Sequence, residues 1–304
     1  MTETQGIAHS VHTRLVARSK ELHIEAQLLL ERYALHRLLY RLSKSRHASR
    51  FLLKGAQLML IWIGESARTT RDADLLGFGD LSDDRLREIF TDLCTVTVKP
   101  DSMKYLANSL RIMPIREENA YGGRRIHIQA RLGNARLQLQ IDVGIGDAVT
   151  PEPVWIELPQ MLDLPAPRMK AYRPETSIAE KLETIVARDL LNSRLKDYFD
   201  IYVLSMNVSF ELSVLSRAVK DTFERRGTPP PSEPPMGLTQ AFVDEPGKPL
   251  QWRSFLNKVG ATGVPDDLAI IIQSVAAFLV PVLDALTIEP DNITSWPPGG
   301  PWQS

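Results

Sequence analysis

Asp72-Ala73-Asp74 is the arrangement in this chain best suited to chemistry. In an extended segment, residues two apart project to the same side. The two carboxylates therefore stand together and call for a cation between them. Mg²⁺ (or Mn²⁺) suits the position, because such ions favour carboxylate oxygens together with waters and substrate phosphates. Asp142 is a third candidate ligand. It lies in the alternating run Leu137-Gln138-Leu139-Gln140-Ile141-Asp142-Val143, on the polar side that Gln138 and Gln140 share. If that strand adjoins the Asp72/Asp74 strand, three carboxylates converge, and such a trio can hold two metals for an in-line phosphoryl displacement.

Three further features carry charge or free amides. Lys54-Gly55 forms a turn before an apolar segment, and a Gly turn at a helix start offers backbone amides to a phosphate. Lys181, between Glu180 and Leu182, is either a cation that neutralises a triphosphate in the transition state or a solvated surface lysine. In Arg194-Leu195-Lys196-Asp197-Tyr198-Phe199-Asp200, Lys196 and Asp200 are i,i+4 neighbours, which equally suits an ordinary helical ion pair.

The elements that must position these groups follow from periodicity. Residues 11–50 read as helical, with Leu28, Leu29, Tyr33, Leu35, Leu38, Leu39 and Leu42 near helical spacing. Gly55 leads into a buried helix over 58–63, where Met59, Trp62 and Ile63 read as core. Residues 69–76 read as a short strand, and 81–94 as a helix beginning near Ser82. Residues 125–132 and 137–143 form a hairpin about a Gly133-Asn134 turn. A second helical region opens at Ser177, which with Glu180 has the form of a capping box. Residues 228–235 are a stiff Pro-rich connector, and a last helix covers 267–286.

Composition narrows the class. The 304 residues suggest two domains, and 43% hydrophobic with 24% charged residues describes a globular chain rather than a disordered or coiled-coil one. A single cysteine, Cys94, excludes an internal disulfide or a cysteine zinc cluster and points to a reducing, cytoplasmic setting. No secretory signal is expected, because Met1–Ser10 is polar without an apolar core, and no membrane span, because Leu268–Ile288 is broken by Gln273, Ser274, Pro281 and Asp284. The histidines show no metal-ligand spacing. The net charge of −1 hides an asymmetry: residues 1–54 hold 10 Lys/Arg against 4 acids, and residues 229–304 hold 3 against 8. The basic end reads equally as a nucleic-acid face or as solvated helix surface.

Five motifs in order then carry a resemblance: Phe51-Leu52-Leu53-Lys54-Gly55-Ala56, Arg68-Thr69-Thr70-Arg71-Asp72-Ala73-Asp74-Leu75-Leu76-Gly77, Ile141-Asp142-Val143-Gly144, Ala179-Glu180-Lys181-Leu182-Glu183 and Arg194–Asp200. Together they resemble the AbiEii/AbiGii nucleotidyltransferase toxins, which include the MenT toxins. The resemblance implies an α+β fold: a nucleotidyltransferase-like mixed sheet with flanking helices over residues 1–168, then a helical C-terminal domain over 169–304. It implies a toxin of a type IV toxin–antitoxin or phage-defence pair, with an AbiEi-like antitoxin acting indirectly. The substrate would be an NTP and the acceptor the 3′ end of tRNA. On this resemblance Asp72 and Asp74 match the metal-binding pair, Asp142 the third acid, Lys181 the catalytic lysine, and Lys196, Asp197 and Asp200 the K-D-x-x-D motif. Asp197 would be catalytic, and Lys54, Gly55, Thr70, Arg71, Lys181 and Lys196 would bind nucleotide. The turn departs from the family: Gly55-Ala56-Gln57 lacks the usual hydroxyl, which Lys54 or backbone amides would replace. The alternatives are nucleotidylation of a protein side chain and a degenerate nucleotide-binding module.

Overall fold

The computed structural model describes residues 3–64, 68, 70–115, 122–287 and 294–304. Thr69 of the expected strand and Ile288 of the apolar stretch lie outside them. In chain order the first elements are α1 (Glu3–Glu21), α2 (Ala26–Lys44), β1 (Phe51–Lys54), α3 (Met59–Trp62), β2 (Ala73–Gly77), α4 (Asp83–Thr95), β3 (Met103–Ile115), β4 (Gly123–Leu132) and β5 (Ala135–Ile145). There follow β6 (Val154–Glu157), β7 (Arg168–Ala171), α5 (Pro174–Arg188), α6 (Leu195–Asn207), β8 (Phe210–Glu211), α7 (Leu212–Arg226), α8 (Gln240–Asp244), α9 (Lys248–Val259), α10 (Leu268–Asp284) and β9 (Ser295–Trp296). The chain divides into two compact units.

The first unit comprises Met1–Gln57, Thr70–Gly146 and Trp155–Ala171. Its sheet runs in the order β3-β4-β5-β2-β1-β7-β6. β3, β4 and β5 form an antiparallel meander, β5 runs parallel to β2, β2 antiparallel to β1, and β1 parallel to β7. One face carries Leu53, Ala73, Leu75, Ile126, Ile128, Ile141 and Val143, all almost fully buried. Helices α2 and α4 pack on this sheet, with Phe90 of α4 edge-on to Phe51. Ser82 caps α4 as expected, accepting from the Arg85 amide. The hairpin also forms as expected, with its turn at Gly133-Asn134.

Several expectations are corrected here. Residues 11–50 are two helices, separated where His23 takes a positive φ of 54°. The Asp72 segment becomes strand only at Ala73, so Asp72 sits just before β2. β1 and β3 had not been read as strands. Phe51–Lys54 is buried in the middle of the sheet, so a short apolar run stands where alternation is absent. The basic amino-terminal region is partly internal. Arg37 and Arg41 of α2 are buried and both donate to Asp101, at 2.8 Å and 2.6 Å. Those two charges hold the helix to the fold and face no partner.

The second unit comprises Leu58–Thr69, Asp147–Val154 and Tyr172–Ser304. Its core joins Ile178, Leu182 and Ile185 of α5, Tyr198, Phe199 and Leu204 of α6, Trp252 of α9 and Phe278 of α10. The last helix matches its expected span, with Asp267 accepting from the Ala269 amide. The capping box at Ser177 does not form. Pro174, with its φ already set for a helix, starts α5 three residues earlier, and Ser177 is buried inside it. Lys181 is therefore in the helix interior rather than its first turn. The Pro-rich segment 228–235 lies within this unit, mostly exposed. Among the described residues no helix is long and apolar enough to cross a membrane.

Candidate active site

In the first unit, the register of four adjacent strands lines up a row of charge. Lys54 is opposite Asp74, Asp74 opposite Asp142, and Asp142 opposite Arg125. Register partners share a sheet face, so all four side chains leave the polar face, away from the Leu53/Leu75/Val143 side. The strand of Asp142 thus adjoins that of Asp74, the condition on which Asp142 was a third candidate ligand. Arg125, which the sequence reading had not assigned, takes both oxygens of Asp142, donating at 2.9 Å and 2.7 Å. This bond holds the Arg125 guanidinium above its ordinary pKa against partial desolvation, and Asp72 and Asp74 add to the effect. Among the described residues no three acids or histidines come together as a ready-made ligand cluster.

The close approach at Gly55 explains the turn. Gly55 has φ 71°, and a Cβ there would lie 2.0 Å from Asp74 Oδ2. The Asp74 carboxylate occupies the space that any other residue would fill, so only glycine is tolerated. Two half-buried carboxylates two residues apart, one cradled against this turn, are a donor set that fits Mg²⁺ when the remaining positions go to water and phosphate.

Ala56, which stands in place of the usual hydroxyl, is buried, and its neighbour Gln57 is fully buried and donates from Nε2 to the Asp72 carbonyl at 3.1 Å. Its Oε1 is 3.2 Å from Nε2 of His36 on α2. Thr70 Oγ1 also reaches the Asp72 carbonyl, at 3.4 Å. The Gln57 side chain thus grips the Asp72 segment from behind and points inward toward His36. Burial, with help from Arg32, pushes His36 down to about 4, from an ordinary 6.5. The sign follows: the unfolded chain takes up this proton below pH 6.5 and the native one does not until about 4, so stability falls as pH drops through that window. Urea unfolding at pH 7 and pH 4.5 should show His36→Gln losing about 2.5 kcal/mol less than the parent chain on acidification. Equal losses would remove His36 from the acid response.

The remaining sequence candidates divide between the units. Arg71 pairs on the surface with Glu25 at 3.2 Å. In the second unit, α5 and α6 bring Lys181, Asp197 and Asp200 together. Lys181 Nζ donates to Asp200 Oδ2 at 2.8 Å and to Asp197 Oδ1 at 3.1 Å. Arg68 grips Asp200 with two bonds, at 2.8 Å and 3.0 Å, and Arg194 Nε lies 3.0 Å from Asp197 Oδ2. The aspartates are nearly sealed, with side chains 1% and 2% exposed, and Lys181 is 16% exposed. Burial opposes charge on Lys181, yet Asp200 and Asp197 hold its amine above the ordinary lysine value. Burial likewise opposes charge on Asp200, and Lys181 and Arg68 overcome it and keep the carboxyl low. Lys181 is not a solvated surface lysine. The Lys196–Asp200 ion pair that the i,i+4 spacing allowed is absent among the described residues, and Lys196 is exposed. Arg68 and Arg194 were legible only as neighbours of motifs.

A mixed sheet that presents paired aspartates beside a glycine turn, and a helical unit carrying a Lys-Asp-Asp cluster, are what the resemblance to nucleotidyltransferases implies. Comparison with known proteins agrees. The model of the family described as nucleotidyl transferase AbiEii toxin, type IV TA system, matches residues 37–278. The chain belongs to this family of nucleotidyl transferase toxins. Among solved structures, a candidate nucleotidyltransferase from H. pylori is similar at 14% identity and TM-score 0.51, covering 86% of this chain and 97% of that one. JHP933 from Helicobacter pylori is similar at 14% identity and TM-score 0.50, covering 86% and 94%. Both show the shared fold. No curated protein matches the chain.

Proposed function

We propose that the chain is a metal-dependent toxin that transfers a nucleotidyl group from an NTP to the 3′ end of tRNA. The observation that carries this reading is the carboxylate pair beside Gly55. Asp72 and Asp74 would hold a divalent ion, which when bound supplies positive charge to the phosphates of the NTP. Asp142, engaged at both oxygens by Arg125, becomes a third ligand only if that arginine lets go. Lys54, Gly55, Thr70 and Arg71 are assigned to nucleotide, and Lys181 with Lys196 to its triphosphate. Asp197 fixes the amine of Lys181.

The acceptor hydroxyl attacks the α-phosphate, its oxygen forms the new ester, and pyrophosphate leaves. An AbiEi-like antitoxin is the proposed partner, phage defence the proposed setting and the cytoplasm the proposed location. The test is incubation of the chain with α-labelled NTPs and Mg²⁺, with deproteinised tRNA in one arm and RNA-free lysate in the other. Label on tRNA, mapped to its 3′ end by sequencing, is expected. Label on protein alone would replace the acceptor, and tight NTP binding with no transfer to either would identify a degenerate binding module.

A further inference from the structure

The polar face of the β3–β5 meander carries a charge pattern that the transfer site does not use. Its three strands contain Lys104, Arg111, Arg124, Arg125, Arg131 and Arg136 against one acid, Asp142. Arg124 turns to the other face, where it binds Asp83, and Arg125 is paired with Asp142. The rest stay on the polar side. Lys104 is opposite Arg131, and Arg131 is opposite Arg136, so three cations form one row across three neighbouring strands. All three residues are exposed, and among the described residues none has an acidic partner. Like charges directly opposite one another in a sheet are destabilising, so this row is a standing repulsion that an anion would relieve.

The row is also in line with the chemistry. Toward the carboxylates the face continues through Leu106, Gln129 and Gln138, then Arg111, His127 and Gln140, then Met113, Arg125 and Asp142, so it is mostly polar with two apolar side chains from the outer strand. From Arg136 to Asp142 is six residues of strand, about 20 Å at the rise of an antiparallel sheet. A mostly polar, acid-poor strip of that length, cationic at its far end and ending at the metal-binding carboxylates, matches a short run of phosphodiesters whose terminus reacts.

We propose that this face is the track for the single-stranded 3′ segment of the RNA acceptor, with the Lys104–Arg131–Arg136 row holding its backbone. The proposal rests on the RNA-transfer reading above. The test uses the full chain and a fluorescein-labelled single-stranded RNA 12-mer, with anisotropy titrations over a range of salt concentrations. The variant K104Q/R131Q/R136Q should bind about tenfold or more weakly at 0.1 M salt, and the slope of log affinity against log salt should flatten by about 2. Its melting temperature should stay level or rise, because the repulsion is gone. The charge-keeping variant K104R/R131K/R136K should bind as the parent does. Unchanged affinity and slope in the glutamine variant would overturn the track, even if the parent chain nucleotidylates RNA. Binding that is lost in the glutamine variant while the parent labels no RNA would leave the track standing and overturn the transfer reading. Labelling of a protein acceptor that needs the three cations, with RNA binding unchanged, would reassign the face to an acidic protein.

Discussion

Asp72→Asn should lower nucleotidyl transfer by about 10³-fold while leaving the fold intact. The magnitude is that of a divalent ion stabilising phosphoryl charge by several kcal/mol, with each 1.4 kcal/mol worth a factor of ten. The selectivity comes from the way the loop is built. Gln57 and Thr70 hold the Asp72 backbone carbonyl, so the asparagine variant keeps both bonds. The measurement is single-turnover transfer with saturating NTP, together with a thermal melt of each variant. Asp74→Asn should behave alike in rate. Asp142→Asn separates the roles further: as a metal ligand it would match the other two, whereas as the anchor of Arg125 it would lose less. Wild-type rates in the Asp72 variant would end the assignment of that carboxylate to the reaction.

Lys181→Met should destabilise the chain by roughly 3–5 kcal/mol, the range for removing one partner from a buried ionic group. Two aspartates with side chains 1% and 2% exposed would then keep Arg68 and Arg194 as their cations among the described residues. Asp200→Ala should cost a similar amount, because it leaves Lys181 and Arg68 facing a gap. The double variant should lose clearly less than the sum of the two, since the second change removes a charge that the first has already stranded. Urea unfolding of the four proteins checks this. Additive losses would mean that the lysine and aspartate do not depend on each other. For Asp200 the low folded pKa means that its contribution is present above the ordinary carboxylate range and is lost as pH falls through the folded value.

What was legible in the sequence was what depends on short-range pattern. The Gly133-Asn134 turn fixed the hairpin, strict alternation placed Asp142 on the polar face, and Ser82 announced α4. Arg125 could also have been found. A two-residue turn pairs Leu132 with Ala135, and stepping back along both strands pairs Arg125 with Asp142. Other parts were hidden for physical reasons. β1 is buried on both sides of its register, so its residues do not alternate. Arg68 meets Asp200 across 132 positions of chain, and no local period encodes such a pair. Gln57 carried no signal of its own, because only the fold shows it turned inward toward His36.

β3 adds a constraint of a different kind. It is the outer strand of its sheet, thirteen residues long, and such an edge is a template for pairing with a second copy. Lys104, Arg111, Pro114 and the register shift between Leu106 and Arg111 all discourage that pairing. Lys104, one of the cations proposed to hold RNA, therefore also helps keep the molecule from adding strands to itself. A chain lacking both Lys104 and Arg111 has a less guarded edge, and sedimentation of that variant would show self-association as its protein concentration rises.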